Sequence, residues 1–281
     1  MKPETVTPLC LRAADPCEWE ALTALWEASV RATHDFLPEA AIAALRPQVR
    51  DQFLPAVAVT VCTDGAGQVL GFSGVADDRL EMLFVAPAAR GHGAGWALLR
   101  RAVLAQGVRA VDVNEQNPPA LGFYQRAGFA VTGRSELDGQ GQPYPLLHLR
   151  RPLDQPPTAH ALPLRVRAVP GGAVPVLVCA GPVEIVEDAH AILSGAREHG
   201  AHGVLLHEAQ LPPDFFRLST GFAGEFIQKL LNYRVAVALM VGAAAGDNNP
   251  HYAAYIAEAR RGRQFRSFDD ADAAQAWLQT Q

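Results

Sequence analysis

The sequence predicts two α/β domains joined by a proline-rich linker. The chain has 281 residues, of which 49% are apolar and 19% charged, so it is long and apolar enough for two cores. Four prolines lie within residues 152–163, where they disfavour helix and central strand. We therefore expect a first domain at residues 1–151, a linker at 152–164 and a second domain at 165–281.

Strands and helices of the first domain are predicted from hydrophobic periodicity. Leu22, Leu25, Trp26 and Val30 recur at helical spacing, and the Asp64 and Gly65 pair marks a hairpin turn. The predicted strands are residues 9–12, 57–62, 69–75, 80–85, 110–113, 129–132 and 146–149. The predicted helices are residues 18–33, 38–45, 93–105 and 118–126.

In the second domain, strands alternate with helices, and this order favours a largely parallel sheet. The predicted strands are residues 165–169, 175–179, 203–206, 235–241 and 264–268. The predicted helices are residues 184–198, 221–231, 250–260 and 271–278.

Composition excludes several classes of function. The net charge is −5, from 24 basic and 29 acidic residues, so we expect no nucleic-acid binding. The start, MKPETVTP, has no apolar run, and the longest apolar stretch, 235–245, is short of the roughly 20 residues that span a bilayer. We expect no signal peptide and no membrane segment. The four cysteines lack C-x-x-C spacing, which favours reduced thiols, a cytoplasmic protein and no metal site.

The most informative segment is a glycine-rich loop between a predicted strand and a predicted helix. It reads Arg-Gly-His-Gly-Ala-Gly from Arg90 to Gly95, a pattern R-x-x-G-x-G. Glycines at such a junction let backbone amides approach an anion, and the helix start attracts negative charge. The spacing differs from the dinucleotide-binding fingerprint, and the lysine of a P-loop is absent. The loop is thus a candidate phosphate cradle of another kind.

A second segment, NEQNPPALGFYQRAGF at residues 114–129, follows this loop. Together the two resemble the signatures of the GNAT N-acetyltransferases, which read R/Q-x-x-G-x-G/A and N-x-x-A-x-x-F-Y-x-x-x-G-F. The matching positions of the second segment are Asn117, Ala120, Phe123, Tyr124, Gly128 and Phe129. The stretches ASVRATHDFL and GRSELDGQGQPYPLL resemble small bacterial acetyltransferases of the YjaB group. The resemblance covers residues 9–151 and implies a mixed, mostly antiparallel, splayed sheet flanked by helices.

The resemblance implies acetyl-CoA as the cosubstrate. Loop amides would hold the pyrophosphate with added charge from Arg90, and the strand before the loop would pair with the pantetheine arm. The cofactor-binding residues implied are Leu83, Phe84, Val85, Arg90, Gly91, His92, Gly93, Ala94, Gly95, Asn117 and Tyr124. Asn117 has an alternative role as the N-cap of the helix that begins at Pro118.

Catalytic roles are also implied by the resemblance. Tyr124 would protonate the departing thiolate, and the alternative is a packing aromatic. A protonated amine must lose a proton, for which Glu81 is the first candidate base, His34 the second and Glu115 the third. A solvated surface side chain is the alternative for each. His148 alternates with apolar residues in a strand and is interpreted as structural.

The stretches at residues 207–233 and 261–265 resemble an uncharacterised bacterial family with a STAS-like α/β outline, so we expect the second domain to have a regulatory or partner-binding role. Ser219 or Thr220 would ordinarily cap the helix predicted from Gly221. STAS regulators are phosphorylated at a comparable helix start, so a phosphosite or an anion-binding point is the alternative.

The function predicted from the sequence is acetyl-CoA-dependent N-acetyl transfer by direct attack of an amine on the thioester. The acceptor is a protein lysine or a small amine, and the sequence does not choose between them. One alternative is a non-catalytic acetyl-CoA sensor that acts on a protein partner through residues 165–281. A second alternative is that the second domain has an enzymatic activity of its own. The sequence also leaves open whether the protein forms a homodimer.

Overall fold

The computed structural model describes residues 9–152, 163–169, 174–242, 259 and 262–281. Residues 11–152 belong to one compact unit, and the described residues from 163 onward belong to the other. Most of the helix predicted at 250–260 lies outside the described residues.

The first unit is built on a seven-stranded sheet with the order β1-β2-β3-β4-β5-β7-β6. Its strands are β1 Cys10–Ala13, β2 Ala58–Thr63, β3 Val69–Ala76, β4 Arg79–Val85, β5 Ala110–Asn114, β6 Ala130–Ser135 and β7 Leu146–Arg150. Its helices are α1 Trp19–Arg31, α2 Glu39–Gln48, α3 Ala94–Leu104 and α4 Pro118–Arg126. Antiparallel pairing joins β2 to β3, β3 to β4, β5 to β7 and β7 to β6, whereas β4 and β5 are parallel. The predicted mixed, mostly antiparallel sheet is confirmed.

Helices cover both faces of this sheet, and each face has its own core. The core of α1 and α2 is formed by Leu22, Trp26, Val30, Ile42, Val49, Leu54, Val59, Val61, Phe72 and Met82. The core of α3 and α4 is formed by Val75, Leu80, Leu99, Ala102, Val103, Val108, Val111, Val113, Tyr124, Ala127, Phe129 and Leu149. Because side chains alternate along a strand, residues between members of one core face the other side of the sheet.

The second unit has a five-stranded sheet with the order β12-β11-β10-β9-β8. Its strands are β8 Val166–Val169, β9 Val176–Cys179, β10 Gly203–His207, β11 Ala236–Met240 and β12 Phe265–Phe268. The helices α5 Ala189–His199 and α6 Phe222–Asn232 share one core with the sheet, and α7 Ala271–Leu278 packs on a separate core. Strands β9 to β12 are parallel and β8 is antiparallel to β9, so the predicted largely parallel sheet is confirmed.

Two predicted helices differ from the structure by more than two residues at one end. The helix predicted from residue 184 begins at Ala189, because the Asp188 carboxylate accepts hydrogen bonds from the Glu184 and Ile185 amides at 2.8 and 3.3 Å. Such local side-chain bonds compete with helix formation. The helix predicted at 38–45 extends to Gln48 and continues into a π-helical turn at Val49–Phe53.

Gly71 in β3 provides a test of the packing between β3 and β4. A Cβ at this position would lie 2.6 Å from the carbonyl oxygen of Phe84, a backbone atom that cannot move without disturbing the ladder. We expect Gly71→Ala to lower the free energy of unfolding by about 1–3 kcal/mol, the usual range for overpacking. Denaturant titration of the full chain measures this change.

Gly139→Ala is the matched control, because a Cβ there has nothing within 4 Å. It should change the free energy of unfolding by less than about 0.5 kcal/mol. Equal stabilities for the two variants would contradict the close approach of β3 to Phe84.

Candidate acetyl-transfer site

The glycine-rich loop connects the end of β4 to the start of α3. Gly91 and Gly93 have φ angles of +80° and +96°, in the left-handed region that glycine adopts without strain. The Ala97 amide donates to the Gly93 carbonyl at 2.9 Å at the start of α3. Amides of a first helical turn have no intrahelical acceptor, and the helix dipole favours an anion there. The loop therefore has the geometry of an anion cradle.

Gly95 lies one residue into α3, where a Cβ would make van der Waals contact with neighbouring elements. A Cβ at Gly95 would lie 3.4 Å from Cγ2 of Val85 and 3.8 Å from Cζ of Phe123. The first turn of α3 thus packs closely on the end of β4 and on α4. This places the cradle beside the last residues of β4.

Arg90 extends from the loop to the end of α1. Its Nη2 lies 3.1 Å from the Ser29 carbonyl oxygen and 3.4 Å from Ser29 Oγ, and its Nη1 lies 3.4 Å from the Ala32 carbonyl oxygen. A cation at a helix carboxyl end is favourable because the last carbonyls carry partial negative charge. The guanidinium thus ties the loop to α1, while the neighbouring His92 side chain is exposed.

Strands β4 and β5 pair over only two residues each. Arg79 lies opposite Ala110 and Leu80 opposite Val111, although β4 continues to Val85 and β5 to Asn114. On its other edge, the stretch from Leu83 to Val85 pairs with β3. The edge of Leu83, Phe84 and Val85 that faces β5 is therefore open to an extended ligand, as β-augmentation requires.

The helix α4 begins beside this opening. Asn117 is its N-cap, since its Oδ1 accepts a hydrogen bond from the Ala120 amide at 3.2 Å. The Tyr124 ring is buried and lies edge-on to Phe123 and Phe129, with ring centroids 5.1 and 5.8 Å away. Burial raises the pKa of the Tyr124 phenol, so the group stays protonated at neutral pH and is able to donate a proton.

The three candidate bases have different environments. Burial raises the pKa of Glu81 on β4, and the nearby charge of Arg79 opposes this shift. Glu115 accepts two hydrogen bonds from Arg134 at 2.8 Å, which lower the pKa of Glu115 and make it a weak base. Glu81 is therefore the better suited of the two carboxylates.

His34 lies in the turn after α1. Burial lowers the pKa of His34, and the charge of Arg90 lowers it further. Thr33 Oγ1 donates its one hydrogen to the Ser29 carbonyl at 2.7 Å. The same oxygen lies 2.9 Å from His34 Nδ1, and it therefore accepts the hydrogen bond between them. The neutral imidazole thus carries its proton on Nδ1.

A polar row that the sequence did not single out crosses β4, β5, β7 and β6. Arg79 Nη1 lies 2.8 Å from Asp112 Oδ2, and Asp112 Oδ1 lies 2.8 Å from His148 Nδ1. His148 Nε2 lies 2.7 Å from Ser135 Oγ. Arg79 Nε also lies 3.7 Å from Glu81 Oε1, so the row reaches one of the predicted site residues.

In the second unit, neither Ser219 nor Thr220 is the N-cap of α6. Gly221 takes that position with a φ of +71°, and the prediction was wrong because the left-handed conformation favours glycine. Thr220 Oγ1 lies 2.6 Å from the Asp214 carbonyl oxygen and accepts a hydrogen bond from the Phe222 amide at 3.2 Å.

Two further features are absent from the described residues. No group of three or more His, Cys, Asp or Glu side chains in the described ranges is arranged to hold a metal ion. Within the same ranges, no helix has the length and apolar character that a membrane span requires.

Both units match known families. Residues 55–131 match the acetyltransferase (GNAT) domain, and residues 173–278 match a domain of unknown function, DUF4180. Peptidyl-lysine N-acetyltransferase YjaB of Salmonella typhimurium is 46% identical over 136 residues, which are 48% of this chain and 92% of that protein. Its Escherichia coli namesake is 43% identical over 132 residues, which are 47% of this chain and 89% of that protein.

A solved structure adds a further comparison. The solution structure of apo-form YjaB from Escherichia coli has 40% sequence identity and a TM-score of 0.47, and the match covers 50% of this chain and 96% of that one. The curated relatives are matched over nearly their whole length. Through its first unit, therefore, the chain belongs to the GNAT family of acetyl-CoA-dependent N-acetyltransferases, and its second unit is a DUF4180 domain.

Proposed function

We propose that the chain transfers the acetyl group of acetyl-CoA to the ε-amine of a protein lysine, by direct attack of the amine on the thioester. The observation that carries the proposal is the open edge of β4 beside the glycine cradle at the start of α3. The names of the relatives, peptidyl-lysine N-acetyltransferases, support a lysine acceptor. We also propose a cytoplasmic enzyme.

In this proposal the cofactor lies along one continuous path. The amides of Gly91, Gly93, Ala94 and Gly95 hold the pyrophosphate, and Leu83 to Val85 pair with the pantetheine arm. Arg90 holds the cradle against α1, an assignment supported by its contacts with Ser29 and Ala32. The acetyl group then lies where β4 and β5 separate, beyond Leu80 and Val111.

The chemical step needs one proton donor and one acceptor near the thioester. Tyr124 donates to the departing thiolate, a role supported by its match to the GNAT signature and by its place on α4, which begins beside the opening. Glu81 is the acceptor that fits best among the three predicted from the sequence, because a raised pKa makes a carboxylate a stronger base.

For the whole chain we propose a transferase domain at 1–151, a linker at 152–164 and a regulatory or partner-binding domain at 165–281. If the second domain regulates transfer, substitutions on the surface of residues 174–242 will change kcat or KM. Unchanged kinetics across a set of such variants would count against regulation.

Acetyl transfer is tested directly by incubating the full chain with acetyl-CoA and pooled lysine peptides. We expect release of CoA with an equal amount of acetyl-lysine, measured by thiol titration and mass spectrometry. A non-catalytic sensor would bind acetyl-CoA and release no CoA above the rate of spontaneous hydrolysis.

The cradle is tested by Gly93→Asp. The carboxylate would stand where the pyrophosphate binds, so we expect the affinity for acetyl-CoA to fall at least about 100-fold, roughly 2.7 kcal/mol. Gly107→Asp is the matched control, because Gly107 also has a positive φ, of +75°, and lies after α3. Calorimetric titration should give equal affinities for that control and the unsubstituted chain.

The role of Tyr124 is tested by Tyr124→Phe. Loss of the phenol should lower kcat by about 100-fold, the low end for general acid–base catalysis, while the Kd for acetyl-CoA stays within about twofold. Tyr144→Phe is the control, since Tyr144 lies between β6 and β7 of the first unit and has no part in the proposed mechanism. An unchanged kcat for Tyr124→Phe would exclude the phenol as the acid.

A further inference from the structure

The two segments that form and flank the glycine cradle contain no acidic residue. Residues 82–111, which run from β4 through the loop and α3 into β5, hold four arginines and no Asp or Glu. Residues 116–135, which contain α4 and β6, hold two arginines and no Asp or Glu. These segments are therefore positive in a chain whose net charge is −5, and a positive surface attracts an anionic ligand.

Arg126, at the end of α4, carries a charge that no neighbour neutralises. Its side chain is exposed and has no hydrogen bond or ion pair with any described residue. Two other arginines of these segments are engaged: Arg90 contacts the Ser29 carbonyl, and Arg134 pairs with Glu115. An unpaired guanidinium is able to bind a phosphate through two parallel hydrogen bonds, and no existing ion pair has to break first.

Packing places the Arg126 guanidinium near the first turn of α3. A Cβ at Gly122 would lie 3.4 Å from Arg126 Nη1, so the side chain folds back toward the start of α4. Phe123, the next residue of α4, has its Cζ 3.8 Å from the position of a Cβ at Gly95, and its ring lies edge-on to Trp96 at 6.3 Å. Gly95 and Trp96 belong to the first turn of α3. The guanidinium thus lies one residue of α4 away from the contact between α4 and the cradle.

Helical spacing puts Arg126 on the flank of α4 that faces α3. Residues three apart on a helix are neighbours on its surface, so Arg126 lies next to Phe123. Tyr124 is turned about 100° around the helix from Phe123 and packs in the core with Phe129. Arg126 therefore lies at the outer border of the contact between α3 and α4, where a ligand in the cradle meets solvent.

Acetyl-CoA carries phosphate in two places. Its pyrophosphate joins the pantetheine arm to a ribose, and the same ribose carries a phosphate monoester at its 3′ position. A phosphate monoester has a charge of about −1.5 to −2 at pH 7 and three strong acceptor oxygens. The cradle amides and β4 account for the pyrophosphate and the pantetheine arm, so the monoester still needs a partner.

The surroundings of the cradle limit where that partner lies. The first turn of α3 is flanked by β4, by the end of α1 and by α4. The edge of β4 is assigned to the pantetheine arm, and Arg90 on the α1 side is bound to the Ser29 and Ala32 carbonyls. The α4 side offers an unpaired cation, which is Arg126.

We propose that Arg126 binds the 3′-phosphate of acetyl-CoA and makes the chain prefer this cosubstrate to its 3′-dephospho form. The guanidinium donates two hydrogen bonds to the monoester, whose charge it partly neutralises. This contact lies at the end of the cosubstrate opposite to the acetyl group, so Arg126 acts on affinity and not on the chemical step. The assignment rests on the cofactor path proposed above but not on the identity of the acceptor.

The test compares acetyl-CoA with 3′-dephospho-acetyl-CoA by calorimetric titration of the full chain. We expect the unsubstituted chain to bind acetyl-CoA about fivefold to tenfold more tightly, the range for a charged hydrogen bond near solvent. Arg126→Gln should weaken the binding of acetyl-CoA by the same factor and leave the affinity for the dephospho form unchanged. That unchanged affinity also shows that the variant is folded. Added salt should reduce the preference of the unsubstituted chain, because exposed charges are screened.

Two further variants separate a local contact from a general effect of charge. Arg109→Gln is the matched control, because Arg109 follows the opposite end of α3 and its side chain likewise has no ion pair within the described ranges. Its affinities for both ligands should equal those of the unsubstituted chain. Arg126→Lys keeps the charge and loses the two parallel hydrogen bonds, so it should retain only part of the preference.

Four results would overturn the inference. Equal affinities of the unsubstituted chain for the two ligands would do so while leaving acetyl transfer intact. A preference that Arg126→Gln retains would place the phosphate contact elsewhere. A parallel loss of affinity for both ligands in that variant would show that Arg126 supports the cradle instead. If the unsubstituted chain binds neither ligand, the cofactor path fails together with the inference.

Discussion

The limited pairing of β4 with β5 is the constraint on which the first unit depends. Two parallel strands in one sheet normally bond along their full length, and buried backbone groups without partners are costly. Here the ladder stops after Leu80 and Val111, although both strands continue. Water or another extended chain must therefore satisfy the backbone groups beyond this point. The pantetheine arm of the cosubstrate carries amides suited to this purpose.

The neighbouring elements are arranged around that opening. Close packing of Gly95 against Val85 brings the positive end of α3 to the tip of β4. The N-cap at Asn117 starts α4 immediately after β5, which places the Tyr124 ring in the core beside Phe129. The elements proposed for anion binding, strand pairing and proton donation thus follow one another from the loop to the opening.

Local motifs of this site could be predicted from the sequence. The glycine loop and the segment around Tyr124 each combine a turn, a cap and an element start within a few residues, so their geometry is encoded nearby. The helix expected from residue 184 was wrong at its start for a similar local reason, because the Asp188 side chain bonds the preceding amides.

Contacts between distant strands could not be predicted in the same way. Arg79, Asp112, Ser135 and His148 belong to four strands, and their meeting depends on the register of β5 with β7 and of β7 with β6. Alternation along one strand shows that His148 faces away from the core, but it does not show what lies beside it. The pairing of Glu115 with Arg134 depends on the same registers, which is why its basicity could not be judged from the sequence.

The link between Arg90 and α1 has a consequence for His34. The positive charge of Arg90 contributes to the lowered pKa of that imidazole, and both groups lie at the carboxyl end of the same helix. If the guanidinium turned toward a bound pyrophosphate, the imidazole would lose a repulsive neighbour and its pKa would rise. Burial is the larger cause of the lowered pKa, so a movement of the arginine would change the titration of His34 by the smaller, electrostatic part.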